Sequence, residues 1–324
     1  MMRSSLRFLY SIAVLPLSLI MTPAWSMDIP CDTAKLIVPW KAGGGTDVIF
    51  RVLSDAANKA GANPQIQVVN IGGQGGNKGA KEAQAAKPDG CTLFAIHQSA
   101  ITSYFTGRVD FTWDAFEPVA LLTRTPPIYG AHKDAPFNNV TELVSYAKAN
   151  PGQVLAGATL GSTSHFWYLL LADAAGIDLK YIPYDGTRQR MTALLANNIQ
   201  TGEINLAAAK KYIQSNELKA LGIMTPERNA DIPEVATVRE QGIDLVGGTD
   251  RGVVAPKGTP PDIVEHYGAI FKKATEDPKI SESLGAKGTS VIYMGPAEYT
   301  AYFQDTQSRW EKVARKVGVY KRDN

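Results

Sequence analysis

Beyond its first 26 residues the chain lacks any long hydrophobic run, and it lacks an excess of charge of either sign. Its 324 residues include 33 Lys and Arg against 31 Asp and Glu. No later stretch approaches the ~20 apolar residues that a membrane-spanning helix needs. The balance of charge argues against nucleic acid or an anionic membrane as the main partner, because both bind broad basic surfaces. Any preference for an anion must therefore be local, within a cleft.

The first 26 residues have the pattern of a secretory signal peptide. Arg3 and Arg7 precede an apolar stretch over residues 8–20, and a small-x-small cleavage site follows at residues 24–26. The apolar stretch is too short for a membrane span. We therefore expect cleavage near Ser26 and a soluble protein exported to the periplasm.

Histidine is scarce, which limits the enzyme and metal classes open to the chain. Its four histidines are scattered, without an H-E-x-x-H motif or a Cys/His zinc spacing. No serine lies in the G-x-S-x-G pattern of a hydrolase nucleophile. We expect no catalytic residues, no metal and no cofactor. A secreted hydrolase that uses Ser162 or Ser164 with His165 is the less favoured alternative.

The two cysteines, Cys31 and Cys91, each lie next to an apolar run that is typical of a strand. If these strands are parallel neighbours, both cysteines lie at the same edge of one sheet. In an exported chain this arrangement favours a disulfide, and two unrelated thiols are the alternative.

Short apolar runs alternate with amphipathic segments along the whole chain, which predicts an α/β fold with mainly parallel sheets. After removal of residues 1–26, about 300 residues exceed one comfortable core, so we expect two lobes. The predicted strands are residues 35–38, 67–69, 92–96, 154–156, 181–183 and 253–255, and the predicted helices are 48–60, 77–86, 164–175, 188–196, 261–275 and 296–317.

A glycine-rich turn at residues 39–47 joins the first predicted strand to the first predicted helix. Three glycines allow the backbone to approach a ligand, and Thr46 or Asp47 can cap the helix. An open helix N-terminus offers unpaired N–H groups and a partial positive charge to an anion. On this stretch alone, an anion cradle and an ordinary tight turn are both open.

A second glycine cluster, at residues 70–79, follows the second predicted strand. Its spacing departs from the G-x-G-x-x-G pattern of a dinucleotide site, and an exported protein rarely meets NAD. We interpret it as a flexible loop or the lip of a cleft.

An ordered series of short motifs resembles the Bug, or TctC-like, receptors, the extracytoplasmic solute-binding proteins of tripartite tricarboxylate transporters. The resemblance starts at Pro39-Trp40-x-x-Gly43-Gly44-Gly45-Thr46-Asp47 and includes the glycine-serine loop that ends in His165. It covers essentially the whole chain after residue 26. The remaining motifs are at residues 70–79, 88–93, 183–186, 218–223, 226–228, 232–237 and 255–260.

The resemblance implies a two-lobed periplasmic binding protein with a type II-like fold, whose lobes close on a ligand like a hinge. Two crossing segments would join the lobes, at residues 117–127 and 246–252. Lobe one would comprise residues 27–122 and 251–324, and lobe two residues 123–250. The implied ligand is a small organic carboxylate, and the implied partners are the membrane subunits of a transporter. We expect a monomer. A ligand-sensing receptor for a membrane sensor kinase is the alternative.

The same resemblance assigns the carboxylate to one loop of each lobe. Two helix N-termini would face each other across the cleft, and the hydroxyls can donate hydrogen bonds to an anion. An ionised Asp47 cannot donate one, so capping its helix is the favoured role. The implied ligand residues are Gly43, Gly44, Gly45, Thr46 and Asp47 from lobe one, and Gly161, Ser162, Thr163 and Ser164 from lobe two.

Further candidates would decide which ligand is bound. Trp40 either floors the pocket with its indole N–H turned inward or fills the core of its lobe. His97 and Gln98 end a strand and are expected to face the cleft.

Charged residues that depart from the common family pattern are also candidates. Asp185 stands where a basic or neutral residue is frequent. Arg251 or Arg188 can pair with a distal carboxylate of the ligand, or form ordinary salt bridges with Asp185 or Asp250.

Overall fold

The computed structural model describes residues 29–323, so the predicted signal peptide at residues 1–26 lies outside the described residues. No helix in this described range is long and apolar enough to cross a membrane. The strands are β1 (Thr33–Val38), β2 (Gln65–Asn70), β3 (Thr92–Ile96), β4 (Phe116–Thr125), β5 (Ile128–His132), β6 (Leu155–Ala158), β7 (Lys180–Pro183), β8 (Thr201–Ile204), β9 (Leu218–Ile223), β10 (Thr249–Pro256) and β11 (Ser290–Met294). The helices are α1 (Gly45–Lys59), α2 (Asn77–Gln84), α3 (Ser99–Phe105), α4 (Val140–Ala149), α5 (Thr163–Ala175), α6 (Thr187–Leu195), α7 (Leu206–Gln214), α8 (Pro261–Thr275), α9 (Pro278–Gly285) and α10 (Pro296–Lys316).

The strands form two sheets, and helices flank both faces of each. The first sheet has the order β2-β1-β3-β10-β4-β11, and the second has the order β7-β6-β8-β5-β9. In the first sheet, Phe50 of α1 and Phe271 of α8 belong to the core on one face, and Phe105 of α3 and Phe303 of α10 to the core on the other. The predicted α/β class with two helix-flanked sheets is confirmed.

Both sheets are mixed, so the prediction of mainly parallel sheets is wrong. In the first sheet β1 is parallel to β2 and β3, whereas β10 is antiparallel to β3 and β4. In the second, β6 is parallel to β7 and β8, whereas β5 is antiparallel to β8 and β9. Parallel neighbours need helical crossovers within one sheet. The antiparallel strands β4, β5 and β10 are instead next to the two segments in which the chain crosses from one sheet to the other.

The chain passes from the first sheet to the second between β4 and β5, and returns between β9 and β10. The predicted crossings at residues 117–127 and 246–252 overlap these passages. Most of their residues lie in β4 and β10, which pair with each other from Thr249–Thr125 to Pro256–Phe116. The division at residues 122/123 and 250/251 stays a prediction.

Each sheet contains the same strand-loop-helix unit, and in each sheet its strand lies next to an edge strand. In the first sheet β1 leads through residues 39–44 into α1, and in the second β6 leads through residues 159–162 into α5. Ligands of α/β sheets bind beyond the carboxyl ends of the parallel strands. The fold therefore places these two loops at equivalent, ligand-competent positions.

Cys31 and Cys91 form a disulfide with a Cα–Cα distance of 6.0 Å, as predicted. The two residues precede β1 and β3, which are parallel neighbours, and the Cys91 carbonyl accepts a hydrogen bond from the Lys35 amide at 2.9 Å. The disulfide joins the chain before β1 to the chain before β3. It therefore lies at the opposite end of these strands from the glycine loop, which follows β1.

Candidate ligand-binding site

A small cavity lies between the two loops, and we call it the cleft cavity. Its volume is about 40 Å³, enough to admit water. Most of its lining residues carry a polar side chain. The lining residues are Trp40, Gly44, Gly45, Thr46, His97, Thr159, Ser162, Thr163, Ser164, Gly186, Thr187, Arg190, Glu203, Asn205, Thr249 and Arg251.

Three helices begin at this cavity without a side-chain cap. The N-cap residues of α1, α5 and α6 are Gly44, Ser162 and Gly186, and none of them makes a side-chain hydrogen bond to its helix. The first-turn amides of a helix have no partner within the helix, and the helix dipole places partial positive charge there. Three such termini around one small cavity favour an anion.

Arg251, on β10, brings a buried positive charge to the cavity. It is 4% exposed. Its Nε donates to Thr46 Oγ1 at 3.0 Å, and its Nη1 donates to Thr125 Oγ1 at 2.8 Å and to the Thr249 carbonyl at 3.2 Å. Burial lowers the pKa of Arg251 to about 10, against the opposing influence of Glu203 and Asp250. The guanidinium is therefore still charged at neutral pH.

Within residues 29–323, Arg251 makes no salt bridge, and its Nη2 has no hydrogen-bond partner. Nearby Asp250 is already paired with Arg124, whose Nε and Nη2 donate to it at 2.7 and 2.6 Å. A buried charge without a counterion costs several kcal/mol. The cavity side of Arg251 is thus a place where an anionic group would be stabilised.

Arg190, on α6, is a second buried guanidinium at the same cavity, and it is 2% exposed. Unlike Arg251, it is compensated by the protein, because its Nη2 pairs with the Glu203 carboxylate. Its Nε donates to the Glu203 carbonyl at 2.9 Å and its Nη1 to Thr159 Oγ1 at 2.9 Å. The pair joins α6 to β8 and leaves this wall of the cavity electrically balanced.

Trp40 and His97 form an aromatic wall. Their rings stack with centroids 5.5 Å apart. Trp40 Nε1 is buried and has no hydrogen-bond partner among the described residues. Burial, reinforced by nearby Arg251, lowers the pKa of His97 to about 3. His97 is therefore neutral at physiological pH, and its Nδ1 accepts from the Ser99 amide at 3.2 Å.

Hydroxyl and amide groups complete the lining. Thr46 Oγ1 accepts from Arg251, which leaves its own proton to be donated. Ser164 Oγ likewise accepts from the Thr159 amide at 2.9 Å. Asn205 caps α7 through its Oδ1, so its amide nitrogen remains available as a donor. Most of these groups therefore present donors to the cavity.

Nine of the fourteen predicted ligand residues line the cleft cavity, and five do not. The nine are Trp40, Gly44, Gly45, Thr46, His97, Ser162, Thr163, Ser164 and Arg251. The five outside it are Gly43, Asp47, Gln98, Gly161 and Asp185.

Asp47 holds the glycine loop in shape from the first turn of α1. Its carboxylate accepts from the Gly43 amide at 2.8 Å, from Arg51 at 3.0 Å and from Asn70 at 2.9 Å. Burial opposes ionisation, but these hydrogen bonds outweigh it and hold the pKa of Asp47 below its usual range. Asp47 and Gly43 thus contact each other and do not line the cavity.

Gln98 lies where the two sheets connect. It donates to the Gly248 carbonyl at 2.9 Å and to the Tyr302 hydroxyl at 3.0 Å, and accepts from the Asp250 amide at 3.1 Å. Its amide is therefore fully used by the neighbouring backbone and side chains.

Gly161 and Asp185 line a wider surface trough of about 880 Å³ that shares Thr159 with the cleft cavity. Asp185 Oδ1 accepts from the Gly75 amide at 3.0 Å, which links residues 70–79 to the second sheet's loops. Arg188 makes a similar link, because its Nη1 donates to the Ala42 carbonyl at 2.7 Å. These contacts close the rim of the cleft.

The sequence reasoning did not assign roles to several lining residues. Arg190 carried the clearest signal, because helical spacing places it on the same face of α6 as the buried Leu194. Its partner Glu203 lies within the short strand β8, and Asn205 directly follows that strand. The other unassigned lining residues are Thr159, Gly186, Thr187 and Thr249.

No group of three or more His, Cys, Asp or Glu side chains within residues 29–323 is arranged to hold a metal ion. The donors of the cleft cavity are suited to an organic anion instead.

Comparisons with known proteins identify a family for most of the chain. The profile of the tripartite tricarboxylate transporter family receptor matches residues 49–319. The chain is 32% identical over 316 residues to the UPF0065 protein in the gbd 5' region of Cupriavidus necator, covering 95% of this chain and 94% of that protein.

Two solved structures share the fold along nearly the whole chain. The periplasmic binding protein BugD superposes with a TM-score of 0.83 at 28% identity, covering 90% of this chain and 99% of BugD. MatC from Rhodopseudomonas palustris with bound malate gives a TM-score of 0.80 at 29% identity, covering 87% of this chain and 98% of MatC.

The resemblance drawn from the ordered motifs is thereby confirmed. The family profile covers most of the chain, the similar proteins align over almost their full length, and the two-sheet fold is the same. The chain belongs to the tripartite tricarboxylate transporter receptor family, the Bug or TctC-like solute-binding proteins.

Proposed function

We propose that this protein is a periplasmic receptor that captures a small organic carboxylate and delivers it to the membrane subunits of a tripartite tricarboxylate transporter. Residues 1–26 would direct export and be cleaved near Ser26. The mature protein would act as a monomer and perform no chemistry on its ligand.

The observation that carries this proposal is the buried, unpaired charge of Arg251 at a cavity ringed by three uncapped helix N-termini. A carboxylate would pair with the free Nη2 of Arg251 and accept hydrogen bonds from the helix amides. Malate bound to the similar protein MatC supports a carboxylate as the ligand class.

Capture would occur by closure of two lobes, with residues 27–122 and 251–324 forming lobe one and residues 123–250 forming lobe two. Trp40, Gly44, Gly45, Thr46 and Arg251 would bind from lobe one, and Ser162, Thr163 and Ser164 from lobe two. The rim contacts from Asp185 to Gly75 and from Arg188 to Ala42 join the two lobes, so they support a closed state held together outside the cavity.

The serines near His165 do not support a hydrolase. Ser164 Oγ accepts from the Thr159 amide, and His165 Nδ1 lies 3.4 Å from the Gly161 amide, which donates to it. Among the described contacts neither the Ser162 hydroxyl nor the Ser164 hydroxyl is hydrogen-bonded to the His165 ring, whereas a serine nucleophile needs a base within reach.

Thermal unfolding of the purified protein with a panel of carboxylates tests the proposal. A bound ligand at a hundredfold excess over its Kd adds about 2.7 kcal/mol to the free energy of unfolding. We expect at least one small carboxylate to raise the Tm, and matched neutral amides to leave it unchanged. The proposal fails if no carboxylate raises the Tm while an ester or amide is hydrolysed.

A further inference from the structure

We propose that Glu203 makes the site selective for a monocarboxylate that also carries a hydrogen-bond donor, a hydroxyl or an ammonium group, over a dicarboxylate. This inference rests on the proposed function, because it assumes that Arg251 binds a ligand carboxylate. It names the ligand class from the charges and donors of the cleft cavity.

The charges of the cavity leave one positive charge without a partner. Its ionic side chains are Arg190, Glu203 and Arg251, and His97 is neutral. Arg190 and Glu203 pair with each other, so only Arg251 is left for a ligand. A first carboxylate would balance Arg251. A second would enter a small space that contains the Glu203 carboxylate and, among the lining residues, no further cationic side chain, so like charges there repel each other.

Glu203 also stands out as an acceptor among donors. Its Oε2 is used by Arg190, whereas its Oε1 accepts no hydrogen bond from the described residues. Glu203 is 5% exposed and lines the cleft cavity. An acceptor in such a confined place is stabilised by a donor. A hydroxyl or ammonium group on the ligand would supply it.

The cleft cavity is small, with a volume of about 40 Å³, which favours a short acid over a longer one. Such an acid would place its carboxylate at Arg251 and a substituent on the adjacent carbon towards Glu203, which lines the same cavity.

A matched panel tests the inference on the unmodified protein by isothermal titration calorimetry at pH 7. The probes are propionate, lactate, alanine and malonate, with butyrate, 2-hydroxybutyrate, 2-aminobutyrate and succinate as the four-carbon set. We expect lactate or alanine, or their four-carbon analogues, to bind at least about tenfold more tightly than both the unsubstituted acid and the dicarboxylate. Comparison of the hydroxy with the amino acids then identifies the donor.

The inference is overturned if malonate or succinate binds as tightly as the best substituted monocarboxylate, or if no acid of either set binds. Binding of a longer or aromatic carboxylate in that last case would leave the proposed function standing. No binding by any carboxylate would overturn both.

A substitution of Glu203 provides an independent readout. Glu203→Gln keeps the side-chain shape and an oxygen for Arg190 but removes the negative charge. We expect the ratio of Kd for dicarboxylate to Kd for substituted monocarboxylate to fall by about tenfold. Glu265→Gln, at an exposed position of α8, is the matched control with the same change of charge. If Glu203→Gln does not fold, the panel on the unmodified protein still decides the question. An unchanged ratio in a folded variant contradicts the inference.

Discussion

Two buried arginines face one cavity, and the protein treats them in opposite ways. Arg190 and Arg251 are 2% and 4% exposed. Arg190, beside the second sheet, is paired with Glu203, whereas Arg251, in the first sheet, contacts only threonine oxygens and a carbonyl.

The difference separates a structural charge from a ligand-binding charge. A compensated guanidinium ties α6 to β8 and needs nothing from outside. An uncompensated guanidinium is unfavourable in the empty protein and becomes favourable when an anion enters. Such an arrangement converts the cost of a buried charge into affinity for a ligand, because binding relieves it.

The largest effect should come from breaking the compensated pair. Glu203→Leu leaves Arg190 buried without a counterion, and we expect the free energy of unfolding to fall by about 3–5 kcal/mol. Urea denaturation followed by circular dichroism measures this loss. The double substitution Arg190→Met with Glu203→Leu should restore most of the stability, since it removes both charges. A single variant as stable as the parent would show that the pair is not needed to balance Arg190.

Removing the uncompensated charge of Arg251 should lower ligand affinity without lowering the stability of the ligand-free protein. Arg251→Met takes away a buried charge that nothing balances, so the ligand-free protein should be as stable as the parent or more stable. Affinity for the carboxylate that binds the parent protein should fall by about a hundredfold, because a charge-assisted contact is lost. Calorimetric titration and ligand-free denaturation give the two readouts. A clear loss of ligand-free stability with unchanged affinity would place Arg251 with Arg190 as a structural charge.

The pH dependence of the free energy of unfolding reports how Arg251 affects the protonation of the neighbouring His97. The pKa of His97 is lowered to about 3, first by burial and then by Arg251. The unfolded chain therefore binds more protons between about pH 3 and 6.5, and stability is lost as the pH falls through that window. One proton corresponds to a slope of about 1.4 kcal/mol per pH unit.

Denaturation at a series of pH values checks this prediction. His97→Gln should lose the part of the slope that His97 contributes. Arg251→Met should raise the pKa of His97, because it removes the repulsion between Arg251 and protonated His97. The pH window in which stability is lost should then become narrower at its acidic side. His165, whose pKa burial and Arg108 lower to about 4, contributes separately and is removed by His165→Gln. An unchanged slope in His97→Gln would mean that His97 is not buried neutral.

Much of the fold could be predicted where the spacing of apolar residues agrees with the residues that start or end helices and strands. Helix α8 spans the predicted residues 261–275, with a proline at its start. Strands β4 and β5 were not predicted, because Pro118, Pro126 and Pro127 interrupt the run that contains them. Helix α4 was also missed, although Asn139 with Glu142 is a capping signal and the Asn139 side chain accepts from the Glu142 amide.

The site could be predicted only as far as local sequence specifies it. The two loops follow strands and precede helices, so their place at the cleft follows from the chain itself. The pairing of Arg190 with Glu203 could not be predicted, because it depends on how α6 packs against β8, thirteen residues along the chain. Gln98 and Asp185 were predicted to contact the ligand, yet tertiary contacts direct both side chains to partners outside the cleft cavity.

The smallest predicted effect concerns the close approach of the start of α1 to Asn205, the cap of α7, at the cleft cavity. A Cβ added at Gly45 would lie 2.8 Å from Asn205 Nδ2 across the cleft. Asn205 is held as the cap of α7 and cannot move away freely. We expect Gly45→Ala to weaken binding of the carboxylate by about fivefold, a cost of about 1 kcal/mol. Its stability should be unchanged, since the residue is helical and alanine is a better helix former.

Gly285→Ala, where a Cβ meets nothing within 4 Å, is the control. In a double-mutant cycle with Asn205→Ala the two affinity losses should not add, because the clash exists only while both side chains are present. Strict additivity would mean that Gly45 acts on the ligand directly, and that the closeness of Gly45 to Asn205 does not limit binding.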